Sequence, residues 1–438
     1  FTFILSTMFL LKFYTDVMGV SAAIVGLMMM AARFVDAVTD VTMGQIVDRS
    51  RPGKKGKFAP WIRRMCGPVA LASFLMYATY FKGMPMGFKI FWMFFTYLLW
   101  GSICYTGVNI PYGSMASAIS DNPTDRASLS NWRTIGATLA QTVIGVVLPL
   151  AVYYTDAAGN KVLSGEKMMI GALVCSIGAV ICYMLCYHMT TERVKVEQNT
   201  QKFSFKELIS EIAHNKALIG IIVCALLFLL AQLSLSNMNN YIYPNYFGNV
   251  SAMSLANLAG MVVILVLSTF IVKLSAKVGK KELSVIGSII SAAAFLILFF
   301  IHTDNVWVWI VLVLISSVGT AMFNMVIWAM ITDVIDDSEV RTGVRQDGTI
   351  YSVYSFARKL GQACSSGISG VLLSIIGYTA ATAHDPKVVD GIYNVTCLVP
   401  ALGMILLFLA LQFLYPLNKK RVEENAKILK ERREAKVQ

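Results

Sequence analysis

The sequence predicts an all-α polytopic membrane protein of about twelve spanning helices. Its 438 residues are 56% hydrophobic and only 14% charged, with a mean hydropathy of +0.64. Soluble domains carry about 25% charged residues, so this chain has too little polar surface to cover itself in water. Apolar runs long enough to cross a bilayer recur along its whole length. The basic residues fall almost entirely in alternate connections between those runs.

The runs cover about 1–14, 21–47, 65–82, 89–118, 134–155, 168–189, 217–243, 251–274, 283–302, 306–335, 348–378 and 393–416. Several exceed 25 residues, which implies tilt, kinks or extension beyond the bilayer. The chain opens on Phe1 inside an apolar run, with no basic leader or cleavage signal, so the first span is expected to be truncated. Placing the first loop outside puts 28 of the 37 Lys and Arg in the inside loops and the tail, and five in the outside loops. That asymmetry predicts a multi-pass protein of the cytoplasmic (inner) cell membrane with both termini in the cytoplasm. It also reads the net charge of +12 as topology and lipid contact, with no nucleic-acid partner. The eight cysteines form no CxxC pair and lie in or beside apolar runs, and the four histidines are scattered. No disulfide framework, zinc site or resident cofactor is expected.

The longest inside loop divides the chain into an N-terminal bundle (1–189), a linker (190–216), a C-terminal bundle (217–416) and a basic tail (417–438). Arg133-x-x-Gly136 followed by Gly145-Val146-x-Leu148 recurs as Arg358-x-x-Gly361 followed by Gly370-Val371-x-Leu373, at a constant offset of 225. The copies fall on spans five and eleven. Two parallel six-helix repeats resemble the pattern of major-facilitator transporters.

Span two carries Asp36 and Asp40, four residues apart and so on one helix face, with Arg33 one turn earlier. An aspartate at the centre of a spanning helix costs about 2.5–3.5 kcal/mol and needs a functional or structural return. Paired carboxylates suit a monovalent cation: both can ligate sodium, or one can hold a proton. Thr39 adds a hydroxyl beside them. An Arg–Asp network that only steadies the helix is the competing reading. The segment from Gly44 through Asp48, Arg49 and the basic stretch to Lys57 reads as a gating loop, with Asp48 bridging to a neighbouring helix end. Span four mixes Trp100, Tyr105, Thr106, Asn109 and Tyr112, aromatic faces and hydrogen-bonding groups of the kind a sugar needs. Pro111 is expected to kink that helix. Arg133 stands at the start of span five, and Lys359 within span eleven needs a partner, either the span-two carboxylates or a sugar. The polar end of span seven, Gln232 to Pro244, lines a pathway or lies at the headgroups.

Phe13-Tyr14-Thr15-Asp16-Val17-x-Gly19, Phe34 before Asp36-Ala37-x-x-Asp40, Gly56-Lys57-Phe58-x-Pro60-Trp61, Asn109-Ile110-Pro111-Tyr112 and Thr342-Gly343-x-Arg345-x-x-Gly348-x-x-Tyr351-Ser352 together resemble the glycoside–pentoside–hexuronide:cation symporters, the family of the melibiose carrier. The resemblance implies a major-facilitator fold and alternating access. It implies entry of a small sugar with sodium or a proton. The sequence offers no metal-ligand cluster, phosphate-cradling loop or Ser/His/Asp grouping of a membrane enzyme, and the carrier is expected to be a monomer. The resemblance makes Asp36, Asp40, Thr39 and Thr106 the cation ligands, with Asp36 and Asp40 the metal ligands if the ion is sodium. It puts Asn109 and Arg133 on the sugar and Lys359 in the charge network. Trp100, Tyr105 and Tyr112 are expected beside the sugar from the span-four cluster itself, with Lys359 among its candidate contacts, and Asp48, Arg49 and Arg345 are expected to gate. Asn109 stands where the melibiose carrier has an aspartate, Gly113 where it has a tryptophan and Thr39 in place of an asparagine. The first two departures tell against a galactoside, and the pattern from Arg345 to Ser352 resembles glucuronide and pentoside carriers more closely, so a glucuronide, pentoside or oligosaccharide is expected. The change at Thr39 leaves the ion open between sodium and proton. A lipid or drug carrier of the same fold and an uncoupled facilitator are the alternatives.

Overall fold

A computed structural model describes residues 1–50, 52–53, 55–120, 123–193, 215–343 and 347–437. It is helical throughout except for one short hairpin. The helices are α1 (Thr2–Asp16), α2 (Ala22–Arg49), α3 (Ala59–Met76), α4 (Met86–Leu98), α5 (Thr106–Ile119), α6 (Pro123–Val152), α7 (Gly165–Met189), α8 (Lys216–Tyr241), α9 (Val250–Val278), α10 (Lys280–Ile301), α11 (Val306–Thr342), α12 (Asp347–Ile375), α13 (Pro386–Leu409) and α14 (Lys419–Val437). Three π-helical segments continue α4, α8 and α13: Leu99–Tyr105, Ile242–Tyr246 and Ala410–Leu414.

Nine helical stretches among the described residues are long and apolar enough to cross a membrane, against the twelve expected. The other three expected spans are helical but fall short for identifiable reasons. At 15 residues, α1 is about 22 Å long, less than the roughly 30 Å apolar layer. Arg63 and Arg64 interrupt α3, and Arg358 and Lys359 interrupt α12. The 37 residues of α11 make a rod of about 55 Å. Its last turns outrun the apolar layer and carry Asp333, Asp336 and Asp337. In span four, α5 continues through Pro111, and a π-helical segment lies upstream, at Leu99–Tyr105. The β-hairpin, Tyr153–Thr155 (β1) against Lys161–Leu163 (β2), was not foreseen in an all-α chain. Its signal is Asp156, whose Oδ1 accepts from the backbone N–H of Ala158 and Asn160, before Gly159 at φ +87°.

The chain packs as two compact units, each gathered from segments distant in sequence. The first comprises Phe1–Gln201, Asn240–Asn257 and Ser366–Val389. In it, paired equivalents of the repeat make helix contacts at glycine. Asn257 Nδ2 donates to the Gly145 carbonyl at 2.7 Å, so α9 lies on α6. A Cβ on Gly26 would come 2.9 Å from the Gly370 Cα, so α2 lies on α12. Gly145 and Gly370 are the repeated glycines 225 residues apart. At the basic-loop end, Gly53 and Gly56 exchange backbone hydrogen bonds. The Glu192 carboxylate accepts from the backbone N–H groups of Lys57, Phe58 and Ala59 at 2.7–2.8 Å, capping α3 from the chain that follows α7. Gly56, at φ +103°, leaves the room for that carboxylate.

The second unit comprises Lys202–Asn239, Leu258–Ser365 and Asp390–Gln438. Gly287 on α10 and Gly319 on α11 bring two backbones together, and Ser291 and Ser316 share a 2.6 Å hydrogen bond beside them. The expected basic tail is α14, docked against the end of α11. Asp337 Oδ1 accepts from Arg421 Nε (3.2 Å), Arg421 Nη2 (3.1 Å) and Asn425 Nδ2 (3.1 Å), and Oδ2 lies 3.3 Å from Arg341 Nε. Lys280 Nζ holds Asp333 at 2.6 Å. Most of the expected linker lies outside the described residues.

The glycine contact between α10 and α11 is the tightest seam in the second unit. Gly287→Leu is expected to destabilise the protein by about 1–3 kcal/mol through overpacking. It should show as a lower apparent melting temperature in detergent, whereas Ser291→Ala should lower it less.

Candidate functional site

A cluster of charged and hydroxyl groups forms in the first unit, where α2 passes the π-helical segment between α4 and α5. Asp36 is 8% exposed. Ser102 Oγ donates to its Oδ1 at 2.6 Å, and Arg33 Nη1 stands 3.4 Å from its Oδ2. One turn along, the Thr106 hydroxyl lies 2.9 Å from Asp40 Oδ1 and 3.1 Å from the Gly101 carbonyl, and its single proton serves either. Gly101 sits against Asp36: a Cβ there would fall 3.3 Å from Oδ1.

The π-helical segment is what brings these groups together. An i→i+5 turn inserts a residue and widens the helix, and such turns cluster at functional sites. Here the Thr106 backbone N–H reaches back to the Gly101 carbonyl, five residues away. Ser102 and Thr106 then both meet α2, each on a different carboxylate. The site holds two carboxylates and one guanidinium. It therefore carries a net negative charge when both aspartates are ionised, and the oxygens of Asp36, Asp40, Ser102 and Thr106 can ligate a hard monovalent cation. The Thr39 hydroxyl donates to the Asp36 carbonyl at 3.1 Å, within its own helix.

The aromatic residues stack beside the carboxylates. Phe3 and Tyr105 are 5.5 Å apart and Tyr105 and Trp100 5.4 Å, both nearly parallel, and the Arg33 guanidinium lies 5.2 Å from the Phe3 ring. Trp100 is fully buried, so it backs this wall instead of forming its surface, while Tyr105 remains half-buried. Asn109 follows Thr106 and precedes Tyr112 by three residues each, which puts the three on one face of α5. Arg133, exposed on α6, lies over the Tyr112 ring at 5.3 Å. In the second unit, Lys359 is half-buried on α12 next to Arg358, whose guanidinium stacks on Trp328 at 5.3 Å and donates to Tyr354 Oη at 3.3 Å.

Of the gating residues, Arg49 is exposed at the end of α2. The Asp48 side chain and Arg345 lie outside the described residues. The polar end of span seven is not a headgroup face: Ser234, Asn237, Asn240, Tyr241 and Tyr243 are all buried. Sequence reasoning missed Ser102, because nothing in a helical period marks a serine displaced by a π-turn. Trp328, the platform for Arg358, was also missed, since it reads as one more apolar residue of its span. Among the described residues no three His, Cys, Asp or Glu side chains converge as a metal cluster would require.

The family described as MFS/sugar transport protein matches residues 1–419. "Uncharacterized symporter YjmB" of Bacillus subtilis is 32% identical over 95% of this chain and 89% of its own. "Glucuronide carrier protein homolog" of Escherichia coli is 31% identical over 97% and 91%. "Isoprimeverose transporter" of Lactiplantibacillus pentosus is 28% identical over 97% and 90%. Among solved structures, the D-xylose-proton symporter superposes with a TM-score of 0.62 at 13% identity, covering 95% of this chain and 97% of its own. The nucleoside transporter NupG superposes with a TM-score of 0.61 at 17% identity, over 95% and 96%. At such identities these structures speak to the fold alone.

The Ser102 hydroxyl is the shortest donor to a buried carboxylate at this site. Ser102→Ala is expected to cost about 1.5–3 kcal/mol of stability, the range for a hydrogen bond to a charged group. Thermal unfolding in detergent would measure it, with Ser102→Thr retaining most of the stability.

Proposed function

This chain belongs to the MFS/sugar transport protein family, a family of multi-pass membrane transporters and not of enzymes, and we propose that it carries a sugar or glycoside together with a monovalent cation by alternating access. The observation that supports this reading best is the pairing of Asp36 and Asp40 with hydroxyls supplied by a π-helical turn. A protein has little reason to keep two carboxylates on one face of a spanning helix, each with its own donor, unless the charge is used.

In this reading the ion, sodium or a proton, binds between Asp36 and Asp40. Arg33 offsets one carboxylate, and the ion neutralises the other. Ser102 and Thr106 then turn lone pairs to the ion in place of the hydrogen bonds they donate without it. Filling the site removes a net charge from beside the aromatic wall of Phe3 and Tyr105. The sugar binds there, its C–H faces on the rings and its hydroxyls on Asn109 and Arg133. Ion and sugar each raise the other's affinity, because linkage is reciprocal. Only the empty or the doubly loaded carrier reorients readily, so the two fluxes are coupled. The likeness to a glucuronide carrier homolog and to an isoprimeverose transporter supports a glucuronide, pentoside or oligosaccharide as the cargo. The carrier works as a monomer in the cytoplasmic membrane, with the basic loops and both termini inside.

Uptake of radiolabelled glycosides and glucuronides into proteoliposomes tests this. With an inward sodium or proton gradient the parent should accumulate its sugar above equilibrium. Asp36→Asn and Asp40→Asn should reduce uptake to equilibration or less. Equal accumulation by parent and variants would refute the ion site. Sugar uptake that follows no gradient would leave an uncoupled facilitator, and absence of any sugar flux from a folded protein would leave a carrier of another cargo.

A further inference from the structure

One buried charge pair plays no part in the ion site. Lys12 and Asp16 lie one turn apart near the end of α1, with Nζ 2.8 Å from Oδ2 and the two side chains only 2% and 11% exposed. Two segments distant in sequence close over them. The π-helical turn after α8 brings Asn245 Oδ1 to 2.9 Å from Lys12 Nζ. The residue after Gly377, at the end of α12, brings Tyr378 Oη to 2.7 Å from Lys12 Nζ, and the same hydroxyl donates to Asp16 Oδ1 at 2.8 Å. Tyr241 caps the cluster: Lys12 Nζ stands 4.3 Å over its ring, and the ring meets Tyr378 edge-on at 4.9 Å. Asn245 is itself held by donating to the Ala383 carbonyl at 3.1 Å.

The cluster lies where α1 ends and α2 begins, at the opposite end of α2 from the Gly53–Gly56 turn. Around it run seams of the same kind. The Ala23 backbone N–H donates to Ser374 Oγ at 2.9 Å, and Asn240 Nδ2 donates to the Met8 carbonyl. As mere glue a buried ion pair is a poor choice, since apolar residues of like volume stabilise as well or better. What an ion pair offers is reversibility. An apolar seal pulled apart exposes hydrocarbon to water, whereas Lys12, Asp16, Tyr378 and Asn245 are all hydrated when parted.

We propose that these four residues are the latch of a gate at this end of the bundle. It is closed in this structure, and it breaks at the Tyr378 and Asn245 contacts when the ion site opens to that side, while Lys12 and Asp16 stay paired on α1. The proposal rests on the alternating-access reading above. The exchange measurement needs neither sugar nor ion, so its outcome is distinct from a wrong choice of cargo; only the uptake arm presupposes a transported sugar.

Hydrogen–deuterium exchange of the full chain in nanodiscs is the measurement. Tyr378→Phe removes one donor to Asp16 and one acceptor from Lys12, each worth about a tenfold change or more in the opening equilibrium. Exchange should accelerate about a hundredfold, the product of the two, in peptides covering residues 8–20, 240–250 and 374–384. Peptides around Gly56 and at the end of α11 should keep the parent's rates. Asn245→Ser should act in the same direction and more weakly. The combination Lys12→Met, Asp16→Leu and Tyr378→Phe makes an apolar seal. It should restore slow exchange at this end while lowering the rate of substrate uptake. Unchanged exchange in Tyr378→Phe would overturn the proposal, as would acceleration spread evenly over the chain. An apolar triple variant that transports at the parent's rate would overturn it as well.

Discussion

An apolar solvent forces every polar group within a span to find its partner inside the chain. Most features of this structure follow from that constraint. Asp36 has Arg33 and Ser102, and Asp40 has Thr106. Lys12 has Asp16, Asn245 and Tyr378. Arg358, without an acidic neighbour on its own helix, lies on the faces of Trp328 and Tyr354. The charges beyond the spans are treated no less fully: Asp337 takes four donor contacts from Arg341, Arg421 and Asn425. Since Lys12, Asp36 and Asp337 are almost closed off from water, the partners they take from other elements fix which segments must be neighbours.

Meeting the constraint requires backbones close enough for short side chains to reach across. Glycine and serine provide that closeness. Gly26 with Gly370 and Gly287 with Gly319 place backbone on backbone, and Gly145 lets Asn257 reach a carbonyl. Two of these glycines, Gly145 and Gly370, belong to the internal repeat. The repeat therefore preserves a contact as well as a pattern: α6 meets α9 and α12 meets α2 by the same small-residue approach.

The π-helical turns add the departures from regularity that the clusters need. The first aims Ser102 and Thr106 at α2, and the second aims Asn245 at Lys12. In both places an α-helix would point the side chain elsewhere, since one inserted residue rotates the downstream side chains by about 100°. The ion site and the proposed latch thus share a construction: charges on a regular helix, met by hydroxyl or amide groups from an irregular one.

Sequence alone determined the helical membrane architecture, because hydrophobicity and loop charge are summed over long runs and survive local error. It also determined Asp36 and Asp40 as the residues to watch, because a carboxylate amid apolar neighbours is conspicuous wherever it packs. Tertiary structure decided which groups complete those charges. Ser102 and Thr106 lie 66 residues from their aspartates, and Tyr378 lies 366 from Lys12. It also decided that Trp100 is buried while Tyr105 stays half-buried, that a hairpin follows α6, and that each compact unit gathers segments distant in sequence. Each of these turns on which distant surfaces meet and on a one-residue shift in helical phase, and neither leaves a mark in composition or periodicity.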